Sequence, residues 1–132
     1  MEKNREERRI NERFNVRKAV VSYTLKKGIF FKKTYDEKYP VIEMSRGGIR
    51  FQDRNPLKID KKVFLKLYLP NLDDPLTLRG KVVWTSSSED DDYKYQNGIQ
   101  FFPFGPEQGF NQPEALDKII KMEQETDNII TE

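Results

Sequence analysis

The chain has 132 residues, the size of one domain, and it contains neither histidine nor cysteine. Their absence excludes Ser-His-Asp and Cys-His catalysis, disulfides, and metal sites built from histidine or thiolate ligands. Hydrophobic residues make up 36% of the chain and charged residues 35%, yet nine Phe, six Tyr and one Trp provide for a small core.

The net charge of +2 conceals an asymmetry along the chain. Residues 1–70 contain 19 Lys and Arg against 9 Asp and Glu, whereas residues 71–132 contain 5 against 13. A basic half indicates an anionic partner, although two solvated halves that attract each other explain the same counts. We find no secretory signal and no apolar stretch long enough for a membrane span, and we expect a cytoplasmic protein.

The first 13 residues predict an Arg-rich arm, either mobile or a short exposed helix, because Ile10 is their one strong apolar residue after Met1. From Phe14 a period-two pattern begins, and its phase changes before Ala19, which predicts one long strand with a bulge or bend. Lys26-Lys27-Gly28 is typical of a turn. Further strands are predicted at residues 29–35, 39–45, 49–51, 63–69, 76–84 and 98–102.

Seven short strands separated by turn residues predict an antiparallel barrel or sandwich, and a barrel is favoured because it leaves no exposed strand edge. At the C-terminus the period changes. Asn111 is a candidate helix cap, Pro113 suits the first turn, and Leu116 and Ile119 follow at helical spacing. The pattern predicts one helix from about Pro113 to about Asn128, packed on the barrel or on a second copy.

Two short motifs contain candidate binding residues. Arg9 and Arg13 are four apart, so a helix would place both guanidiniums on one side, and a guanidinium matches a phosphate or the O6/N7 edge of guanine. The alternative is a charge-rich helical turn in which nearby glutamates are the partners of these arginines.

The second motif is Glu43-Met44-Ser45-Arg46-Gly47-Gly48. In a strand, Ile42 and Met44 would face the core, leaving the Glu43 carboxylate and Ser45 hydroxyl side by side outside. The carboxylate can accept hydrogen bonds from guanine, the hydroxyl can donate to phosphate, and the glycines allow close approach of a ligand. A hairpin that these side chains merely organise is the alternative.

Together, Arg9-x-x-x-Arg13, 29 intervening residues and Glu43-x-Ser45-x-x-Gly48 resemble the signature of the PilZ domain family, Arg-x-x-x-Arg followed by Asp/Asn-x-Ser-x-x-Gly. Arg8-Arg9 opens the motif as a doublet. Gly80-Lys81-Val82-Val83-Trp84 and Gly98-Ile99-Gln100-Phe101-Phe102 are similar to two later strands of the family. The resemblance extends from Arg8 to Phe102.

The resemblance implies a mainly β fold, a six-stranded antiparallel barrel with an Arg-rich N-terminal arm and a C-terminal helix. The implied divisions are 1–13 for the arm, 14–110 for the barrel and 111–132 for the helix and tail. It also implies a non-enzymatic bacterial receptor for the second messenger cyclic di-GMP, without cofactor or metal. The implied binding residues are Arg8, Arg9, Arg13, Glu43, Ser45 and Gly48, with Glu43 standing where the family has Asp or Asn.

Binding would order the arm and thereby change the surface shown to a protein partner, whose identity the sequence does not give. No membrane insertion is expected, and nucleic acid is not the expected partner. Two alternatives stay open: a divergent PilZ-like adaptor that binds proteins but no nucleotide, and a small barrel that binds single-stranded nucleic acid.

Overall fold

The structure is a computed structural model that describes residues 13–27, 30–31 and 37–131. The described elements are seven strands and one helix: β1 (Val20–Lys27), β2 (Phe30–Phe31), β3 (Tyr39–Met44), β4 (Gly48–Asp53), β5 (Lys62–Tyr68), β6 (Leu76–Ser87), β7 (Tyr95–Phe101) and α1 (Pro113–Thr131).

Six of the strands close into an antiparallel barrel. They follow the order β1-β3-β4-β7-β6-β5, and β5 pairs back onto β1 over the stretch Val20–Leu25. The junction of β1 with β3 is short, with Val20 opposite Pro40 and Val21 opposite Tyr39. The predicted six-stranded barrel is confirmed, and β2 lies outside it, paired with the end of β1.

Alternating side chains of the barrel strands form the core, because successive residues of a strand point to opposite faces. The pattern is clearest in β5, where every second residue is buried. The most deeply buried large apolar side chains are Val21, Met44, Phe51, Val63, Leu65, Leu67, Leu78, Val82, Ile99 and Ile119.

At the start of the chain the predicted bend is present, but the predicted single long strand is not. Lys18 has a φ of 66° in a turn, so the chain bends there and β1 begins only at Val20. Phe14 instead forms an isolated bridge with Met44 at the end of β3. Of the turn predicted at Lys26-Lys27-Gly28, the first two residues belong to β1 and pair with β2, so the prediction is wrong for them, whereas Gly28 lies outside the described residues.

Helix α1 begins at Pro113, as predicted, and continues to Thr131. It buries Ala115, Ile119 and Met122 against the barrel. The expectation that Asn111 caps this helix is wrong. Asn111 is buried, and its amide bonds the backbone of Arg79 and Phe102, so its oxygen is already used within the sheet. In the described part of the chain, no helix has both the length and the apolar character that a membrane span requires.

A buried polar network surrounds Asp53, the last residue of β4. Asp53 is fully buried, and its carboxylate accepts hydrogen bonds from the Tyr23 hydroxyl (2.7 Å), the Asn97 side-chain amide (3.0 Å) and the Asn55 backbone N–H (3.1 Å). Burial raises the pKa of Asp53, an effect that these donors only partly offset. Burial and the hydrogen bond to Asp53 likewise raise the pKa of Tyr23.

Candidate functional site

The bridge between Phe14 and Met44 fixes the position of Arg13. Phe14 is buried, its N–H donates to the carbonyl of Met44 (2.8 Å), and its carbonyl accepts from the Met44 N–H (2.9 Å). Arg13 precedes Phe14, and Glu43 precedes Met44. In an antiparallel bridge these two residues are diagonal neighbours on one face, and the long Arg13 side chain spans the diagonal: Arg13 Nη1 donates to Glu43 Oε1 at 3.0 Å.

The hairpin between β3 and β4 contains the other predicted residues. The Ser45 N–H donates to the carbonyl of Gly48 (2.8 Å), which closes the turn over Arg46 and Gly47. The Ser45 hydroxyl accepts from the Gly47 N–H (3.1 Å), so it organises the turn, while its own proton is available to another acceptor. Of the two apolar neighbours expected in the core, Met44 is buried and Ile42 is only half-buried, because the register shifts between Val41 and Glu43.

Arg46, between Ser45 and Gly47, points to the C-terminal helix. Its Nη2 donates to Glu123 Oε1 at 2.8 Å, and the Glu123 side chain is only 11% exposed. This shielded ion pair joins the predicted binding hairpin to α1.

Gly48 is required by the close approach of two backbones. A Cβ at this position would collide with the carbonyl oxygen of Ile99, which lies on the neighbouring strand β7. Its φ is not in the left-handed region, so the need for glycine comes from space and not from backbone conformation. The glycine of the motif therefore has a structural role whether or not a ligand contacts it.

A β-bulge places Trp84 beside this hairpin. The register between β6 and β7 shifts between Val82 and Trp84, so Val83 is an extra residue, and both Val83 and Trp84 are exposed. Trp84 is opposite Gly98, where an added Cβ would lie 3.2 Å from the Cβ of Trp84. The guanidinium of Arg50 lies over the Trp84 ring, 5.5 Å from its centroid.

Glu43 is the electrostatic centre of the site. Its Oε1 atom lies 3.0 Å from Arg13 Nη1 and 3.0 Å from Arg50 Nη2. Glu43 and Arg50 are register partners across β3 and β4, which is why their outward side chains meet. The Glu43 side chain is 19% exposed, that of Arg50 33% and that of Arg13 69%.

These residues line an open cavity of about 580 Å³ on the outer face of β4, β7 and β6. Four of the predicted residues line it: Arg13, Glu43, Ser45 and Gly48. The first and the last of them are 35 positions apart in the sequence. Arg8 and Arg9 lie outside the described residues. Among the residues described, no cluster of three or more acidic side chains is arranged to hold a metal ion.

Among the lining residues that sequence reasoning missed are Arg50, Trp84 and Gln100. The alternation of β4 could have identified Arg50, because it is two residues after Gly48 and shares its outward face. Trp84 and Gln100 could be identified only from the pairing of β4 with β7 and of β7 with β6, together with the bulge at Val83. Local sequence does not predict these features.

The fold and the site together define a class of protein: small antiparallel barrels that have a cationic cavity beside a glycine-containing hairpin. A model of the PilZ domain family matches residues 4–116, most of the chain, and the protein therefore belongs to the PilZ domain family.

Among solved structures, one described as "MrkH, A novel c-di-GMP dependence transcription regulatory factor" is similar in fold, with a TM-score of 0.56 and 15% sequence identity. The likeness covers 87% of this chain and 49% of that one, so the chain spans about half the length of that structure. A search of curated proteins found no match.

Proposed function

We propose that this protein is a non-enzymatic bacterial receptor that binds cyclic di-GMP in the cavity between Arg13 and the Glu43–Gly48 hairpin. The observation that supports it best is that Arg13 and this hairpin, far apart in the chain, line one cavity in a member of the PilZ domain family. The proposed place of action is the cytoplasm.

The chemistry of the cavity suits a ligand with two phosphates and two guanines. Arg13 is mostly exposed, so its planar set of donors is accessible to a phosphate or to the O6/N7 edge of guanine. The proton of the Ser45 hydroxyl supplies a neutral hydrogen bond. The exposed face of Trp84 offers an apolar surface on which a purine can stack.

Arg8 and Arg9 are proposed to add further guanidiniums from the N-terminal arm. In this proposal the arm closes over the bound ligand, and the altered surface is recognised by a protein partner. Because Phe14 is fixed to Met44 by two backbone hydrogen bonds, any arm that precedes Arg13 starts at the rim of the cavity.

Isothermal titration calorimetry with cyclic di-GMP tests the proposal. We expect saturable binding by the wild type and roughly tenfold or greater weakening by Arg13→Ala, since a charged hydrogen bond contributes about 1.5–3 kcal/mol. Ser45→Ala should weaken binding by a factor of about 2–10, as expected for one neutral hydrogen bond. Thermal unfolding of each variant checks that the hairpin is intact.

Arg54→Ala is the matched control. Arg54 follows β4 at the end opposite Gly48, roughly 20 Å away for a strand of this length, and its exposed side chain pairs with Glu37. Its removal changes the net charge as Arg13→Ala does, and affinity should change less than about twofold. Equal losses in both variants would mean that nonspecific attraction, not a site, accounts for binding.

One observation favours the adaptor alternative, a PilZ domain that binds a protein and no nucleotide. Glu43 already pairs with Arg13 and Arg50, and its negative charge partly neutralises the positive charge of the cavity. The same titration separates the three functions. No heat with cyclic di-GMP and none with a single-stranded oligonucleotide would favour the adaptor, whereas tight oligonucleotide binding alone would favour a nucleic-acid barrel.

A further inference from the structure

We propose that Arg50 is an additional ligand-binding arginine of the cavity, and that Glu43 is an internal counter-ion that holds Arg13 and Arg50 until an anionic ligand replaces it. The inference rests on the proposed function, because it concerns the same cavity. It assigns a role to a residue outside the two sequence motifs. It also reverses the role that sequence reasoning gave to Glu43: the carboxylate opposes ligand binding, whereas the motif predicted that it accepts hydrogen bonds from guanine.

The arrangement of Glu43 supports this role. A single oxygen, Oε1, is 3.0 Å from a nitrogen of each arginine, so one carboxylate bridges two guanidiniums. Without Glu43, two like charges would face each other across the cavity. A phosphodiester carries the same single negative charge as a carboxylate and likewise presents two oxygens, and it can therefore take the place of Glu43 between the two arginines.

Arg50 is the better oriented of the two arginines. It extends from a paired position in β4, its guanidinium lies over the Trp84 ring, and only a third of its side chain is exposed. Its Nε atom is shielded from solvent and has no hydrogen-bond partner among the residues described. An oriented, partly desolvated guanidinium loses less conformational entropy on binding than a freely exposed one.

The two possible roles of Glu43 predict opposite results. If its carboxylate accepted hydrogen bonds from guanine, removing the charge would weaken binding. If it competes with phosphate for Arg13 and Arg50, removing the charge should strengthen binding, because a negative charge a few ångströms from the ligand phosphates is lost.

The protein contains a matched control for both residues. At the other end of β4, Arg54 pairs with Glu37 at 2.7 Å and lies over the Tyr93 ring, 5.7 Å from its centroid. A carboxylate, a guanidinium and an aromatic ring thus occur together there as well, outside the residues that line the cavity. Glu37→Gln and Arg54→Ala change the net charge as Glu43→Gln and Arg50→Ala do, so they report any effect of overall charge alone.

Calorimetry with cyclic di-GMP on the full chain, at two salt concentrations, is the test. We expect Glu43→Gln to bind about three to ten times more tightly than wild type, as loss of one partly screened repulsion predicts. Arg50→Ala should bind about tenfold or more weakly, and Arg50→Lys should fall between, because lysine keeps the charge without the planar donors. Glu37→Gln and Arg54→Ala should differ from wild type by less than about twofold.

Weaker binding by Glu43→Gln, or unchanged binding by a folded Arg50→Lys and Arg50→Ala, would overturn the inference while leaving cyclic di-GMP binding intact. If the wild type binds no cyclic di-GMP, the proposed function fails by itself. The inference is then decided with inorganic pyrophosphate, followed by NMR of the arginine side-chain ¹⁵N resonances. A shift of the Arg50 signal that is larger in Glu43→Gln supports it, and no shift at Arg50 refutes it.

Discussion

The two ends of strand β4 contain similar groups in different settings. At the cavity end, Glu43 is shielded and bridges Arg13 and Arg50. At the far end, the exposed Glu37 pairs with Arg54, and the adjacent carboxylate of Asp53 is buried among uncharged donors.

The difference shows which groups hold the fold and which are available to a ligand. The far end is stabilised by side chains, since Asp53 joins β1, β4 and β7 through fixed hydrogen bonds. The cavity end is stabilised by backbone, where Gly48 lets β4 and β7 approach and the Phe14–Met44 bridge closes the rim. Its side chains are bound to each other by charge, and a competing charge can separate them.

The largest effect is expected at the backbone of the cavity end. Gly48→Ala would push a Cβ into the carbonyl oxygen of Ile99, so β4 and β7 would have to separate. We expect the free energy of unfolding to fall by about 3 kcal/mol or more, together with loss of ligand binding. Chemical denaturation measures the first quantity.

Gly109→Ala is the control for this substitution. Gly109 has a φ of +87° and nothing within 4 Å of an added Cβ, so only backbone strain opposes the change. That strain costs about 1 kcal/mol. Equal destabilisation by the two substitutions would show that β4 and β7 can separate at Gly48 and Ile99 at a smaller cost in free energy than the geometry implies.

Local pattern in the sequence was sufficient to predict most of the strands, because strands buried on one face alternate with period two, and the resemblance to the PilZ domain family implied the six-stranded barrel. Local pattern was also sufficient for the hairpin glycines and for the start of the helix at Pro113. It failed where non-local contacts decide. Asn111 has the sequence context of a cap, but the sheet uses its amide, and the apparent strand from Phe14 is interrupted at Lys18, whose φ is 66°.

The second prediction concerns Asp53 at the far end. Burial raises its pKa in the folded state above the ordinary value of 3.8. Folding therefore takes up a proton between these two pKa values, and the free energy of unfolding falls as pH rises through that interval. Because asparagine does not titrate, the stability of wild type relative to Asp53→Asn should be highest below 3.8 and should decline as pH rises. Each pKa unit corresponds to about 1.4 kcal/mol.

Asp90 provides a comparison of opposite sign in the same titration. Its carboxylate accepts hydrogen bonds from the backbone N–H groups of Tyr93 and Asp92, which lower its pKa. The stability of wild type relative to Asp90→Asn should therefore decline as pH falls below 3.8, the reverse of the Asp53 profile. Two profiles of the same sign would contradict the assignment of Asp53 as a carboxylate whose ionisation opposes folding.

The residues that line the cavity fall into two groups, those that local sequence identified and those that only non-local contacts bring there. Arg13, Glu43, Ser45 and Gly48 were found because they belong to short motifs with recognisable spacing. Trp84 reaches the cavity through a bulge and through pairing with Gly98. Neither feature can be predicted from local sequence, because a bulge depends on the register between two paired strands and not on the residues of one strand alone.

The smallest effect is expected for the pair Glu37–Arg54. Both side chains are more than half exposed, at 55% and 57%, although their atoms approach to 2.7 Å. Exposed pairs contribute little because water and salt screen them, so a double-mutant cycle of Glu37→Gln and Arg54→Ala should give a coupling of at most about 0.5 kcal/mol. In 1 M salt, where the screening length is about 3 Å, the coupling should vanish. A coupling that persists there would mean that the Glu37–Arg54 pair is less accessible to salt than its exposure indicates, because the cycle cancels the contact of Arg54 with Tyr93. The two ends of β4 would then differ less than their exposure indicates.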